Sequence, residues 1–288
     1  MPSKKTWTVH HEDCIEGMRK LPESSVDFSV FSPPFPALYA YTDSECDLGN
    51  VDQLGAEVRL HFGYFCRSLL RVIKPGRVVV MHVMNIPRMK RTGGVGLYDF
   101  AGLLIRLAER AGFIYEYQWL VRKNPQAQAI RTKSRELQFS GLESDRAKSR
   151  GSLPDHLLKF RKPGENATPI DSKYQVSRED WIRWAECCWF DIKETDTLNV
   201  RGTKGENDVK HICPLQLEVI RRLILLYSNP GELVLSPFTG IGSEGYVAVK
   251  NDRQFVGFEL KDEYFRQAKA NIASAAKEMA RQEELFTA

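Results

Sequence analysis

With 288 residues and a hydrophobic fraction of 42%, the chain has room for one large α/β domain or two small ones around a sizeable core. A formal net charge of +4 is too small for nucleic-acid binding to rest on overall charge, so that role requires a local basic stretch. The six cysteines form no CxxC pair and the six histidines supply no zinc spacing around them, which argues against a zinc site or a disulfide framework. The expectation is reduced thiols in a cytoplasmic protein without metal. The polar start, Met1 to Cys14, has no apolar signal core, and the apolar run at Leu223 to Tyr227 is far too short to span a bilayer, so neither export nor a membrane is expected.

Thr6 to His10 alternates like a short strand, and Ile15 to Leu21 follows as a one-face helix stopped by Pro22. Asp13 stands at the turn between them, where capping the helix is its simplest role. Val26 to Phe31 carries branched and aromatic residues over strand length and empties into Ser32-Pro33-Pro34-Phe35. Two adjacent prolines fix two φ angles and remove two N–H donors, so this loop accepts hydrogen bonds but hardly donates them. Ser32 adds an acceptor and Phe35 a flat face, a combination suited to a planar group carrying an NH2. On these four residues alone a proline-stiffened turn stays open. Ala37 to Asn50, with Tyr39 and Tyr41, suits a loop lying over a binding site.

Apolar residues at steps of three and four predict a helix over Gln53 to Val72, stopped by Lys74-Pro75-Gly76. Arg77 to Val83 reads as a buried strand, Leu97 to Gly112 as an amphipathic helix and Phe113 to Val121 as another strand, a pattern typical of a layered α/β sheet. The alternation then breaks over 122–205, which reads as a polar, basic insertion. Arg122, Lys123, Arg131, Lys133, Arg135 and Gln138 are its candidate nucleic-acid contacts, because Arg and Lys neutralise phosphates and Arg or Gln reaches base edges. A solvated surface remains the plain alternative. Ser177 to Phe190 is expected to be a short amphipathic helix with Trp181, Trp184 and Trp189 as its packing face. Regular structure resumes with a helix at Leu215 to Tyr227 and a strand at Glu232 to Leu235. That strand runs into Ser236-Pro237-Phe238-Thr239-Gly240-Ile241-Gly242-Ser243, then a helix, then the strand Gln254 to Phe258 tipped by Glu259, and a last helix closes the chain. A glycine turn opening a helix, with an acid at the next strand's tip, suits an adenosine-type cofactor. Gly240, Gly242 and Gly245 also fit GxGxxG, although Pro237-Phe238 ahead of them does not suit a dinucleotide turn.

SPPF after a hydrophobic strand, with SPFTGIGSEG and FVGFEL downstream, resembles the β-class S-adenosylmethionine-dependent DNA amino-methyltransferases. The resemblance covers nearly the whole chain outside the insertion. It implies a class I methyltransferase fold, a doubly wound α/β mixed sheet with circularly permuted motif order. It also implies a catalytic half at 1–121, an inserted target-recognition region at 122–205 and a cofactor half at 206–288. Ser32, Pro33, Pro34 and Phe35 then match the catalytic loop, and Ser236, Phe238, Thr239, Gly240, Gly242 and Ser243 the cofactor loop. Glu259 matches the ribose-binding acid, Asp13 an acid near the adenine, and Lys210, His211 and Pro214 a further cofactor-binding turn. The implied partners are S-adenosylmethionine, double-stranded DNA and a second copy of the chain. Two departures stand out: Ser236 occupies a position where the family usually has Asp, and the catalytic loop opens with Ser rather than Asp or Asn. Within the family that Ser leans toward cytosine N4. The longer stretch SPPFPALYAYTDSE resembles solitary prophage-type enzymes and places adenine N6 slightly ahead. An RNA or protein methyltransferase would keep the cofactor loop and change the insertion.

Overall fold

The structure is a computed structural model that describes residues 7–36, 55–88, 96–171, 175–198 and 215–287. The first strand, β1 (Trp7–His11), leads into helix α1 (Cys14–Lys20), whose first amides at Ile15 and Glu16 are capped by the Asp13 carboxylate. The fully buried β2 (Val26–Phe31) is followed by α2 (Ala56–Val72) and β3 (Ile73–Val83). This strand starts four residues before the expected Arg77, passing directly through Lys74-Pro75-Gly76. Proline is tolerated there because the pairing with β2 is irregular, shifting register between Val26 and Phe28. The predicted helix at Leu97 is also corrected. Two-residue strands β4 (Ile86–Pro87) and β5 (Leu97–Tyr98) pair with each other, and α3 (Phe100–Ala111) begins only after Asp99, whose carboxylate accepts from the Gly102 amide. Gly112 ends α3 in the left-handed region, as a helix-terminal glycine does.

Strand β6 (Ile114–Val121) leads through α4 (Pro125–Thr132) and α5 (Phe139–Ser144) to β7 (Asp155–Arg161). After α6 (Arg178–Trp184) and β8 (Cys188–Trp189), α7 (Leu217–Tyr227), β9 (Leu233–Ser236), α8 (Ser243–Lys250), β10 (Gln254–Glu259) and α9 (Asp262–Thr287) complete the chain. The helix expected over Ser177 to Phe190 thus ends at Trp184, because Cys188 and Trp189 pair with β6 as an edge strand. Trp184 and Trp189 are buried, with the Trp189 indole donating to the Trp184 carbonyl, whereas Trp181 faces solvent.

The main sheet has the order β1-β10-β9-β2-β3-β7-β6-β8, in which β1 through β3 run parallel and β7 is antiparallel to both neighbours. Its inclusion of β7 corrects the boundary drawn at 122–205, since residues 155–161 form an interior strand of the main sheet. Its basic side chains are engaged within the fold: Lys159 and Arg161 pair with Glu116 on β6, and Lys162, just past the strand, binds backbone carbonyls of Arg71 and Ile73. The sheet carries a core on each face. One is built from α1, α2 and α3 through Met18, Phe62, Phe65 and Leu104; the other comes from α6 to α9 through Trp184, Leu223, Val247 and Ile272. Helices therefore cover both faces, as parallel strands buried on both sides require.

Neighbouring β2 and β9 send their chains to opposite faces, β2 through α2 to β3 and β9 through α8 to β10. Such a reversal leaves a crevice beyond the carboxyl ends of the two strands, where open α/β sheets place their ligands. Among the described residues, no helix is long and apolar enough to cross a membrane. No group of three His, Cys, Asp or Glu side chains among them is placed to hold a metal ion.

Candidate active site

Both motif loops open on that crevice. Phe28 and Ser29 of β2 stand beside Val234 and Leu235 of β9, so Ser32-Pro33-Pro34-Phe35 and the glycine loop leave adjacent strands at the same edge. Across β9, the strand β10 brings Glu259 to this edge, and β1 beyond it pairs His11 with Glu259 and delivers Asp13. The SPPF loop, the glycine loop, Glu259 and Asp13 thus line one edge in spatial order. About two hundred residues of chain separate the two loops in sequence.

The glycine loop is fastened to the tip of β10. The Thr239 amide donates to the Phe258 carbonyl at 2.9 Å, and the Gly240 amide donates to Glu259 Oε2 at 2.7 Å. The other carboxylate oxygen, Oε1, accepts from the Lys261 amide at 2.9 Å. These two amides fix the Glu259 carboxylate at the edge of the crevice. Two glycines serve different ends. Gly242, at φ 90°, has no room for a side chain, because a Cβ would stand 2.9 Å from the Ala268 Cα of α9. Gly240, at φ 52°, faces open space. Phe238 anchors the loop from the other side, its ring 5.0 Å from Phe65 and 5.7 Å from Phe31, just ahead of the catalytic loop.

Two buried hydroxyls of this loop carry unspent polarity. The hydroxyls of Ser236 and Ser243 are buried and have no hydrogen-bond partner. Glu244, the second residue of α8, is also buried, and desolvation, reinforced by the charge of Glu259, pushes its carboxyl up to about 8. Orphaned hydroxyls beside the acid at the tip of β10 are what a polar ligand would complete, so the loop fits the adenosine-type cofactor expected of it.

The catalytic loop holds a network that the sequence did not announce. Phe31 pairs with Met81, which sets Ser32 beside His82 near the end of β3, and Ser32 Oγ lies 2.6 Å from His82 Nδ1. On the far side, His82 Nε2 stands 2.9 Å from Asp155 Oδ2 at the start of β7, a charge contact bent away from ideal hydrogen-bond geometry. Lys123 Nζ closes on the same carboxylate oxygen. Burial pushes the Asp155 carboxyl up, but His82 and Lys123 outweigh it and hold the group well below its ordinary range. Phe35, half-buried, packs 5.9 Å from Phe100 at the start of α3.

Lys123 was expected to face DNA and is corrected: it is 7% exposed and committed to Asp155. Of the other basic candidates, Arg122, Arg131 and Lys133 are exposed, Arg131 lying 3.8 Å from Glu194, and Gln138 is exposed where α5 begins. Arg135 lies in a short 3₁₀ turn between α4 and α5. Because Val121 pairs with Asp155, the excursion carrying these residues leaves and re-enters the sheet at the catalytic edge. Gln128 ties it back, exchanging hydrogen bonds with the Leu153 backbone at 2.9 and 3.0 Å. Tyr39, Tyr41, Lys210, His211 and Pro214 lie outside the described residues. His82 did leave a signal, as the single polar residue of Val78 to Val83, whereas Asp155 became visible only once β7 was seen antiparallel to β3.

Residues 26–270 match the family of N6 and N4 DNA methylases. The Type II methyltransferase M.BglI of Bacillus subtilis is 22% identical over 92% of this chain and 85% of its own length. In fold, the chain resembles a putative DNA modification methylase from Thermus thermophilus complexed with S-adenosyl-L-methionine. That likeness has a TM-score of 0.68, 22% identity and coverage of 93% of this chain and 95% of that one. The cytosine-N4-specific PvuII DNA methyltransferase superposes with a TM-score of 0.67 at 18% identity, covering 96% of this chain and 95% of that one.

Proposed function

The chain belongs to the N6/N4 DNA methylase family, and we propose that it transfers a methyl group from S-adenosylmethionine to the exocyclic amine of a base in double-stranded DNA, N6 of adenine before N4 of cytosine. The observation that carries this reading is the meeting of the SPPF loop and the glycine loop on adjacent strand ends, with Glu259 beside them.

The cofactor supplies an electrophilic methyl on a sulfonium. Glu259 accepts from its ribose hydroxyls, while Ser236 and Ser243 offer hydroxyls to its polar end and Asp13 stands at the edge beyond Glu259. The base amine is a poor nucleophile, because its lone pair is delocalised into the ring. Ser32 Oγ and the Pro33 carbonyl, both acceptors, draw its N–H groups out of the ring plane and turn the lone pair outward. Neither group reaches a base inside a duplex, so the target is flipped out, and Phe35 receives its face with Tyr39 or Tyr41 assisting. The exposed Arg122, Arg131, Lys133 and Gln138, together with Arg135, meet the duplex, consistent with their placement on an excursion rooted at the catalytic edge. The active form is a homodimer.

Cytosine N4 is the second reading, favoured by Ser32 at the head of the loop. The test is transfer of labelled methyl from S-adenosylmethionine to unmethylated genomic DNA by wild type, Ser32→Ala and Pro33→Ala, followed by mass spectrometry of the nucleosides. Transfer that falls in both variants and yields N6-methyladenine supports the proposal, and N4-methylcytosine reverses the order of bases. No transfer by a folded, cofactor-binding wild type points instead to an RNA or protein substrate.

A further inference from the structure

The established family chemistry leaves one product without a destination, the proton that a base amine loses once it carries a methyl group. The charge beside His82 favours one tautomer. With Nε2 2.9 Å from the Asp155 carboxylate, the hydrogen belongs on that nitrogen, which makes Nδ1 the lone-pair nitrogen and the Ser32 hydroxyl its donor. With its own hydrogen directed at His82, Ser32 Oγ presents only lone pairs to the crevice. We propose that His82 takes up, through Ser32, the proton shed by the methylated amine, with Asp155 and Lys123 as its positioning groups.

This rests on the proposed amine-methylation reading. The amine lone pair forms the new N–C bond as the S–C bond breaks and leaves its electrons on sulfur. An N–H proton then passes to Ser32 Oγ while the Ser32 hydroxyl proton passes to His82 Nδ1. The positive charge that began on the sulfonium ends on an imidazolium beside Asp155, and the amine leaves neutral. Among the described residues, the charged groups in contact with His82 suit this. Asp155 supplies negative charge next to Nε2, and Lys123 closes on the same carboxylate oxygen. The other ring at hand, His156, is engaged with Gln118 at 3.2 Å, and burial holds its pKa down and keeps it neutral. His82 touches neither base nor cofactor, so it acts through Ser32 as a positioning and proton-accepting residue.

Two measurements test this. The first is the single-turnover rate of methyl transfer from pH 5.5 to 8.5 for wild type and His82→Asn, a substitution that places an oxygen acceptor near the Nδ1 position without a basic nitrogen. The expected result is a rate that rises with pH in wild type. His82→Asn should be roughly a hundredfold slower at neutral pH and lack that rise, with affinity for S-adenosylmethionine unchanged. A His82→Asn enzyme of near wild-type rate, or a slow one with the wild-type pH profile, overturns the proposal. The second measurement needs no substrate. Nitrogen NMR of histidine-labelled protein should find His82 as the Nε2–H tautomer, with an Nδ1 signal that moves in Ser32→Ala. An Nδ1–H tautomer overturns the proposal. Should wild type prove inert on DNA, the function reading fails while the NMR result still decides the network.

Discussion

Replacing Glu244 with glutamine should remove the loss of stability that this one carboxyl imposes on the protein as pH rises. The carboxyl is 4% exposed, and burial raises its pKa from an ordinary 4.5 to about 8. Between those values the folded protein keeps a proton that the unfolded chain has released. The unfolded state therefore binds fewer protons, and stability falls as pH rises. Integrating the linkage relation with these two values gives a loss of about 1 kcal/mol by pH 5 and about 4 kcal/mol by pH 8. Glu244→Gln keeps the size and polarity of the group without its proton equilibrium, so the variant should gain about 3 kcal/mol on wild type between pH 5 and pH 8. Any cost of burying the amide itself is the same at both ends. Urea unfolding of cofactor-free protein at pH 5, 6.5 and 8 measures this directly. Parallel stability profiles for the two proteins would show that Glu244 is ionised in the fold, and that the cofactor loop carries a charge rather than a neutral acid.

The two glycines of that loop make a matched pair for mutation. Gly242→Ala forces a Cβ against the Ala268 backbone at a positive φ and should cost about 2–4 kcal/mol in urea unfolding. Gly240→Ala meets no atom within 4 Å and should cost only about 1 kcal/mol, so equal losses would refute the packing argument. Glu259→Gln removes the charge that holds the Gly240 and Lys261 amides and is meant to accept from the ribose. Calorimetry should find affinity for S-adenosylmethionine reduced roughly tenfold to a hundredfold; an unchanged affinity removes Glu259 from the cofactor site.

The glycine loop also marks the limits of reading one motif from sequence. Its three glycines invited a single explanation, close approach of a ligand, yet Gly242 is required by the packing of α9 and Gly245 by Phe255 and Ile272. The strands β2, β3, β9 and β10 were legible because each is a short run of branched and aromatic residues next to a turn signal, a pattern that depends only on local chain chemistry. The strand β7 was not, because Lys159 and Arg161 continue the basic run around them in sequence, and their charges are neutralised only when Glu116 of a neighbouring strand receives them. The same limit hid Lys123, whose lysine chemistry reads as a phosphate contact until Asp155 is found beside it.

By itself the sequence determined the layered α/β class, the two chemically distinct loops and the acid that follows the second of them, since prolines, glycines and apolar runs act on their own stretch of backbone. The tertiary structure decided which strands are neighbours, and with that everything that depends on distance. It set Ser32 against His82 and Asp155, fixed Glu259 to Gly240, and mounted the basic excursion on the catalytic edge. These contacts join residues far apart in the chain, and pairing of that kind is settled by the burial of both sheet faces at once rather than by any local run of residues.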